Sequence, residues 1–227
     1  MCAVCGERLV SPHAYTNVHG EVRCGLCRRL EQPYVKAGAY GSYEGGLRDL
    51  IHMLKYEGVR PAANVLGRML SEVVIGLEPS FGGATLLVVP VPLHSSKLHQ
   101  RGFNQAEAVS RVALKLMNSE RYTLSSGALE RVRPTQSQIG LSRHQRRENL
   151  RGAFRVTDSQ QISGRDILLV DDVFTTGTTA SECARILRRA GAARVWVATV
   201  ARTLKAEAQM AHVETETDAR TSRAAHG

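Results

Sequence analysis

Two constellations in this sequence combine residue types and spacings that can do chemistry. The first is Cys2, Cys5, Cys24 and Cys27, arranged as C-x2-C, an 18-residue spacer and a second C-x2-C. Two residues between thiols let both point at one ion from a tight turn, and two such pairs complete a tetrahedron. Structural zinc is the expectation. Four thiolates leave no open coordination position, so catalysis at this metal is not expected. Two disulfides are the alternative, but nothing in the sequence routes the chain to an oxidising compartment. His13 and His19 lie between the pairs, as surface residues or alternative ligands, and Cys183 reads as a buried apolar thiol.

The second constellation is "ILLVDDVFTTGTT", Ile167 to Thr179. An apolar run meets Asp171 and Asp172, then a loop of Thr175, Thr176, Gly177, Thr178 and Thr179. Hydroxyls and backbone N–H groups at a helix start suit a phosphate, and Gly177 lets the backbone come close to it. Carboxylates repel phosphate, so they belong at another part of the ligand: a diol, or a magnesium ion that offsets the phosphate charge. A phosphorylated ribose satisfies all three demands. A Walker B strand needs a partner G-x-x-x-x-G-K-[ST], and the sequence has no Gly-Lys pair. A receiver-domain acid pair does not fit the Gly/Thr loop.

These residues must be positioned by a framework, and the pattern along the chain predicts an α/β fold. Leu47, Leu50, Ile51, Leu54 and Lys55 recur at helical spacing, with Gly58 as the stop. A second helix is expected over 62–77, after Pro61. Residues 85–91, "TLLVVPV", suit a buried strand. A helix follows over 103–117, then a weak strand over 129–132 and a polar helix over 142–149. Residues 167–170 form a strong buried strand, 178–192 an amphipathic helix ending at Gly191, and 194–202 a further strand. This order predicts a parallel α/β sheet. Ligands of open α/β sheets bind beyond the carboxyl ends of the strands, where Asp171 and Asp172 fall. The expected domains are residues 1–33 as a four-cysteine zinc ribbon, 34–205 as the α/β domain, and 206–227 as a disordered tail.

The chain has 227 residues and a formal charge of +9, with arginine far outnumbering lysine. Anionic partners are expected: phosphates, nucleic acid or an acidic protein face. No apolar run reaches the roughly 20 residues of a membrane-spanning helix. The N-terminus lacks the basic start and apolar stretch of a secretory signal, so a cytoplasmic protein is expected. Arg131, Arg133, Arg143, Arg146, Arg147, Arg151 and Arg155 face a single acid, Glu148, within 131–155. Such a stripe could follow a phosphate backbone. Aromatic residues for base stacking are few there, only Phe154 with Phe103 and Tyr122 near in sequence.

"ILLVDDVFTTGTT" closely resembles the phosphoribosyl pyrophosphate (PRPP) motif of type I phosphoribosyltransferases. With the cysteine ribbon, "YEGGLRDLIHMLKYEG", "VVPVPLHSSKLHQRGFNQA" and "RPTQSQIGLSRHQRRENLRGAF", the whole pattern resembles the ComF/GntX family over about residues 2–203. That resemblance implies a type I phosphoribosyltransferase core and a magnesium-dependent displacement of pyrophosphate from PRPP, with an acceptor it does not identify. It implies that Asp171 and Asp172 hold the ribose hydroxyls, directly or through magnesium, and that Thr175 to Thr179 cradle the 5′-phosphate. Lys97 and Arg101, in the loop from Pro92 to Asn104, would meet pyrophosphate. The stretch from Arg133 to Gln138, with Gln136, resembles a loop that closes over the site. An acceptor hood would come from residues before Thr85, with His52, Lys55 and Tyr56 as its polar groups. Family members similar to a DNA-uptake competence protein point to single-stranded DNA or a competence helicase as further partners. A non-catalytic PRPP-sensing or DNA-handling protein on the same fold is the alternative. Neither Asp172 nor Thr178 is expected to fill the core.

Overall fold

The computed structural model describes residues 1–9, 20–117, 120–135 and 142–203. His13, His19, Gln136 and the tail from residue 206 therefore lie outside the described residues. In chain order the elements are α1 (Gly25–Arg29), β1 (Ala37–Ser42), α2 (Gly45–Tyr56), α3 (Ala62–Leu77), β2 (Leu86–Pro90), α4 (Ser95–Arg101), α5 (Gln105–Lys115), β3 (Tyr122–Leu124), β4 (Leu129–Arg131), α6 (Arg143–Leu150), β5 (Phe154–Val156), β6 (Asp166–Phe174), α7 (Thr178–Arg189) and β7 (Arg194–Arg202).

Five strands form one parallel sheet in the order β1-β7-β6-β2-β3. Its central strands are covered on both faces, which is why they read as unbroken apolar runs. All five residues of β2 are buried. On one face Leu86, Val88, Leu168 and Trp196 pack with Ile51 and Leu54 of α2 and Leu66 and Leu70 of α3. On the other, Leu87, Val89, Leu169 and Val197 pack with Cys183, Ala184 and Leu187 of α7. Gly67 lets α3 and α5 approach: a Cβ there would lie 2.5 Å from the Val112 side chain.

Residues 129–132 do not join the parallel sheet, as the sequence pattern implied. Leu129–Arg131 pairs antiparallel with Phe154–Val156 in a separate two-stranded ribbon. The two edge strands β1 and β3 were not foreseen. "AGAYGS" carries small residues with no β-branched side chain, and Tyr122–Leu124 is only three residues long. Within the expected loop from Pro92 to Asn104 the chain forms the short helix α4, capped by His94. The strand expected over 167–170 extends to Phe174, so both aspartates lie within β6.

The four cysteines are all buried, and their core is continuous with that of α7 and the sheet. Within the module the Ala3 N–H donates to the Val22 carbonyl at 2.7 Å, and the Ala37 N–H of β1 ties it to the sheet through the Val4 carbonyl at 2.7 Å. Arg202, at the end of β7, is buried and ion-paired with Glu7 at 2.9 Å, and it donates to the Cys5 carbonyl. Among the described residues, no helix is long and apolar enough to cross a membrane.

Candidate phosphate and acid site

β2 and β6 are neighbours, with Pro90 level with Val170. The loop leaving β2 therefore starts beside the aspartates, and its Val91 N–H donates to the Val170 carbonyl at 2.8 Å. Asn104 fixes the far end of that loop. Its Nδ2 donates to the Val91 carbonyl at 3.0 Å, while its Oδ1 caps α5 at the Ala106 N–H.

Successive strand residues point to opposite faces, and this separates the two acids. Asp171 is partly exposed, and its Oδ1 accepts the Asp172 N–H at 2.9 Å. Burial, then the Asp172 charge, push its carboxyl up to about 8, against the pull of Lys55. Asp172 is only 4% exposed. Its Oδ1 accepts the Val173 N–H at 2.9 Å, and its Oδ2 is ion-paired with Lys55 of α2. Burial alone would lower the pKa of the Lys55 ammonium, but the Asp172 charge outweighs it and holds the ammonium above its ordinary value. Asp172 and Thr178, at 4% and 8% exposure, are thus part of the packed interior, contrary to the expectation from sequence. Residues at the base of a strand-end site are covered by the elements that shape it.

Thr175 to Thr179 connect β6 to the start of α7. Gly177 is the N-cap, with φ 73° in the left-handed region, and its carbonyl accepts the Ser181 N–H at 2.8 Å. The hydroxyls of Thr176 and Thr178 lie 2.7 Å apart. Arg146 of α6 donates to the Thr175 hydroxyl at 3.2 Å, so a cation already stands at the edge of this loop. Backbone N–H groups, hydroxyls and a helix N-terminus are the groups an anion-binding cradle needs.

Across the cleft, burial and the charges of Arg131, Arg101 and Lys55 lower the Lys97 pKa. These cations therefore share one region, with Asp171 acting on both Lys55 and Arg131. Arg101 also lies over the Tyr56 ring, at 5.6 Å from its centroid, and the His52 and Tyr56 rings are 4.7 Å apart. Of the three suggested hood residues, Tyr56 is 65% exposed, whereas Lys55 turns inward onto Asp172.

Several arginines of 131–155 have separate partners. Arg133 donates to the Asn149 and Arg151 carbonyls at 2.9 and 2.6 Å, closing the end of α6. Arg155 pairs with Glu130, and Arg131 is directed over the Phe154 ring. The Arg143 backbone begins α6, but its side chain is outside the described residues. Arg147 is exposed. With His144, Arg185, Arg189 and Arg194 it lines a groove of about 970 Å³ between the cysteine module, α6 and α7.

The four sulfurs of Cys2, Cys5, Cys24 and Cys27 lie within 4.8 Å of one another, and all five cysteines are free thiols. Such crowding sets the thiols against each other. Cys2 is pushed down by hydrogen bonds from Cys27 and Cys5, while Cys5 is pushed up to about 12, first by Cys2. A metal ion would remove that conflict by accepting all four as thiolates. The cluster can hold one.

Sequence reasoning placed Lys55 on the helical face of Leu47, Ile51 and Leu54 and named it as a hood residue, but missed its partner. The signal was there: a lysine at a helical position shared with Leu47, Ile51 and Leu54 faces the core and needs a buried acid. No sequence signal marked Arg131 as the neighbour of Asp171, because a ribbon whose strands are separated by residues 132–153, with α6 among them, brings them together.

A parallel sheet with a Gly/Thr anion loop beside an acid pair at one strand end is the architecture of a type I phosphoribosyltransferase core. Residues 98–222 match the phosphoribosyl transferase domain, and the chain belongs to that family, in the branch that includes competence protein F. It is 32% identical over 211 residues to the DNA utilization protein YhgH of Escherichia coli K12, covering 90% of this chain and 91% of that protein. It is 30% identical over 203 residues to competence protein F of Haemophilus influenzae, covering 88% and 84%. Among solved structures it is similar to a hypoxanthine phosphoribosyltransferase from Staphylococcus aureus, at 15% identity, 60% and 62% coverage and a TM-score of 0.36.

Proposed function

We propose that this protein binds PRPP with magnesium at the end of β6 and displaces its pyrophosphate onto an acceptor. The single observation that carries this reading is the pairing of partly exposed Asp171 with the Gly177-centred loop on one strand end. The loop would take the 5′-phosphate, with Arg146 at its edge. Asp171 would take the ribose hydroxyls or magnesium. Asp172 belongs to the same unit but works from beneath it, through Lys55. Lys97 and Arg101 would meet the pyrophosphate. Magnesium, when bound, would offset phosphate charge and stabilise the departing pyrophosphate. The rest falls to this chain: Asp171 orients the ribose, and the cations of the β2 loop stabilise negative charge as it develops. Residues 1–33 would form a zinc ribbon on Cys2, Cys5, Cys24 and Cys27, and residues from 34 onward the transferase-like domain. A four-thiolate zinc site and a PRPP site both suit the cytoplasm, where thiols stay reduced.

The relatives' names link this family to DNA utilization and competence, which supports a role for this protein in DNA uptake. The arginine-lined groove beside α6 and α7 supports a second reading, in which the fold handles single-stranded DNA through its phosphates or engages a competence helicase. Calorimetry with PRPP and magnesium, repeated with ribose 5-phosphate and a short single-stranded oligonucleotide, separates the readings. Absence of PRPP binding at millimolar ligand overturns the first; salt-sensitive binding of the oligonucleotide alone would favour the second.

A further inference from the structure

Lys55 is drawn into the base of the site, onto Asp172, and its placement has a consequence for how much cation the acid pair accepts. Two adjacent carboxylates carry a charge of −2, and a site of this kind commonly resists ionising both. Here the two acids are not equivalent. Asp172 has both oxygens engaged, Oδ1 by the Val173 N–H and Oδ2 by Lys55, and it is buried. Asp171 is partly exposed and shares its surroundings with Arg131 and Lys55. We infer that Lys55 is a built-in counter-cation for Asp172, so that the acid pair takes a single divalent ion, held on the Asp171 side. This rests on the reading of the site as one for a metal-bearing phosphorylated ribose.

The charge arithmetic supports it. When both carboxylates are ionised, Lys55 brings the pair to a net −1, which one divalent cation converts to +1, a favourable field for an anionic ligand to which the nearby Arg131 adds. Without Lys55 the pair would present −2 and would need a second cation or a proton. The ammonium comes from α2, whose Ile51 and Leu54 are anchored in the core on the same face of the sheet. It is therefore held by packing and does not depend on ligand. Lys55 is a positioning residue: it keeps Asp172 occupied and leaves Asp171 for the metal.

The test uses the zinc-loaded chain and manganese alone, counted by electron paramagnetic resonance, with magnesium as competitor. Wild-type protein should bind one manganese. Lys55→Met should bind a second, or bind the first at least tenfold tighter, because Asp172 is released. Lys55→Arg and the double variant Lys55→Met/Asp172→Asn should return to wild-type behaviour. Asp171→Asn alone should abolish manganese binding. A folded Lys55→Met with wild-type stoichiometry and affinity overturns the inference, as does manganese retained by Asp171→Asn. If Lys55→Met does not fold, the double variant decides: wild-type manganese binding upholds the inference and its loss overturns it. Wild-type protein that binds PRPP but fails these comparisons defeats this inference alone. Wild-type protein that binds neither manganese nor PRPP defeats the underlying reading as well.

Discussion

Phe174 lies against Gly177. A Cβ on Gly177 would come within 2.5 Å of the Phe174 Cζ, so the loop crosses the ring at a distance only glycine allows. Phe174 is in turn edge-on to Tyr34, at 6.4 Å between centroids, and lies under the Arg202 guanidinium at 5.3 Å. The last residue of the acid-bearing strand thus links the anion loop above it to the cysteine module beside it.

Gly177→Ala meets two penalties. A non-glycine residue at φ 73° costs about 1–2 kcal/mol, and forcing a methyl against a packed ring costs about 1–3 kcal/mol. Chemical denaturation should show a loss in that combined range. Binding of PRPP and of ribose 5-phosphate should weaken together, since the loop must move. Unchanged phosphate affinity in this variant would separate the loop from the ligand.

The Glu7–Arg202 pair should be worth more than its size implies. Both side chains are 9% exposed, and breaking a buried pair by removing one partner costs about 3–5 kcal/mol. Arg202→Met is expected to lose roughly that much stability in denaturant while retaining its metal. A loss below about 1 kcal/mol would show that the module is held by its backbone bonds instead.

Elemental analysis of protein purified without chelator should find one zinc per chain. Cys24→Ser should lose most of it and destabilise the module, because so short a segment depends on its metal for folding. Full zinc retention in that variant would refute the four-cysteine assignment.

The raised Asp171 carboxyl fixes a pH dependence. An ordinary carboxyl titrates at 3.8, and this one at about 8 in the folded chain. Between those values the folded state holds the extra proton, so this group's contribution to stability falls as pH rises through the window. A ligand that needs the carboxylate must displace that proton. Affinity for PRPP with magnesium should therefore rise from pH 7 towards 8, approaching tenfold per unit where the acid is mostly protonated, and level off above. Ligand phosphate titrates lower, near about 6. Asp171→Asn should bind more weakly and without this slope; a slope that survives in it would assign the proton elsewhere.

Arg146 and Arg147 should separate by function. Arg146 touches Thr175, so Arg146→Ala should weaken ribose 5-phosphate binding. Arg147 lies in the outer groove, so Arg147→Ala should leave that affinity unchanged. If the groove binds DNA, Arg147→Ala should flatten the salt dependence of oligonucleotide binding by about one unit of slope. Equal effects of both variants on the sugar phosphate would merge the two surfaces.

The sequence by itself determined the parallel α/β class, because strands buried on both faces must be apolar throughout, as residues 86–90 and 167–170 are. It also determined the metal-capable cysteine set, since C-x2-C spacing is local geometry, and the Gly/Thr turn into a helix, since Gly177 and its threonines are contiguous. Tertiary structure decided what depends on residues far apart in the chain. Leu129–Arg131 looked like a sheet strand but pairs with Phe154–Val156, a choice made by which partner the intervening chain can reach. Asp171 and Asp172 are adjacent in sequence and alike in chemistry. Only the strand's alternation, and α2 folding back to lay Lys55 on one of them, makes one acid a buried anchor and leaves the other partly exposed.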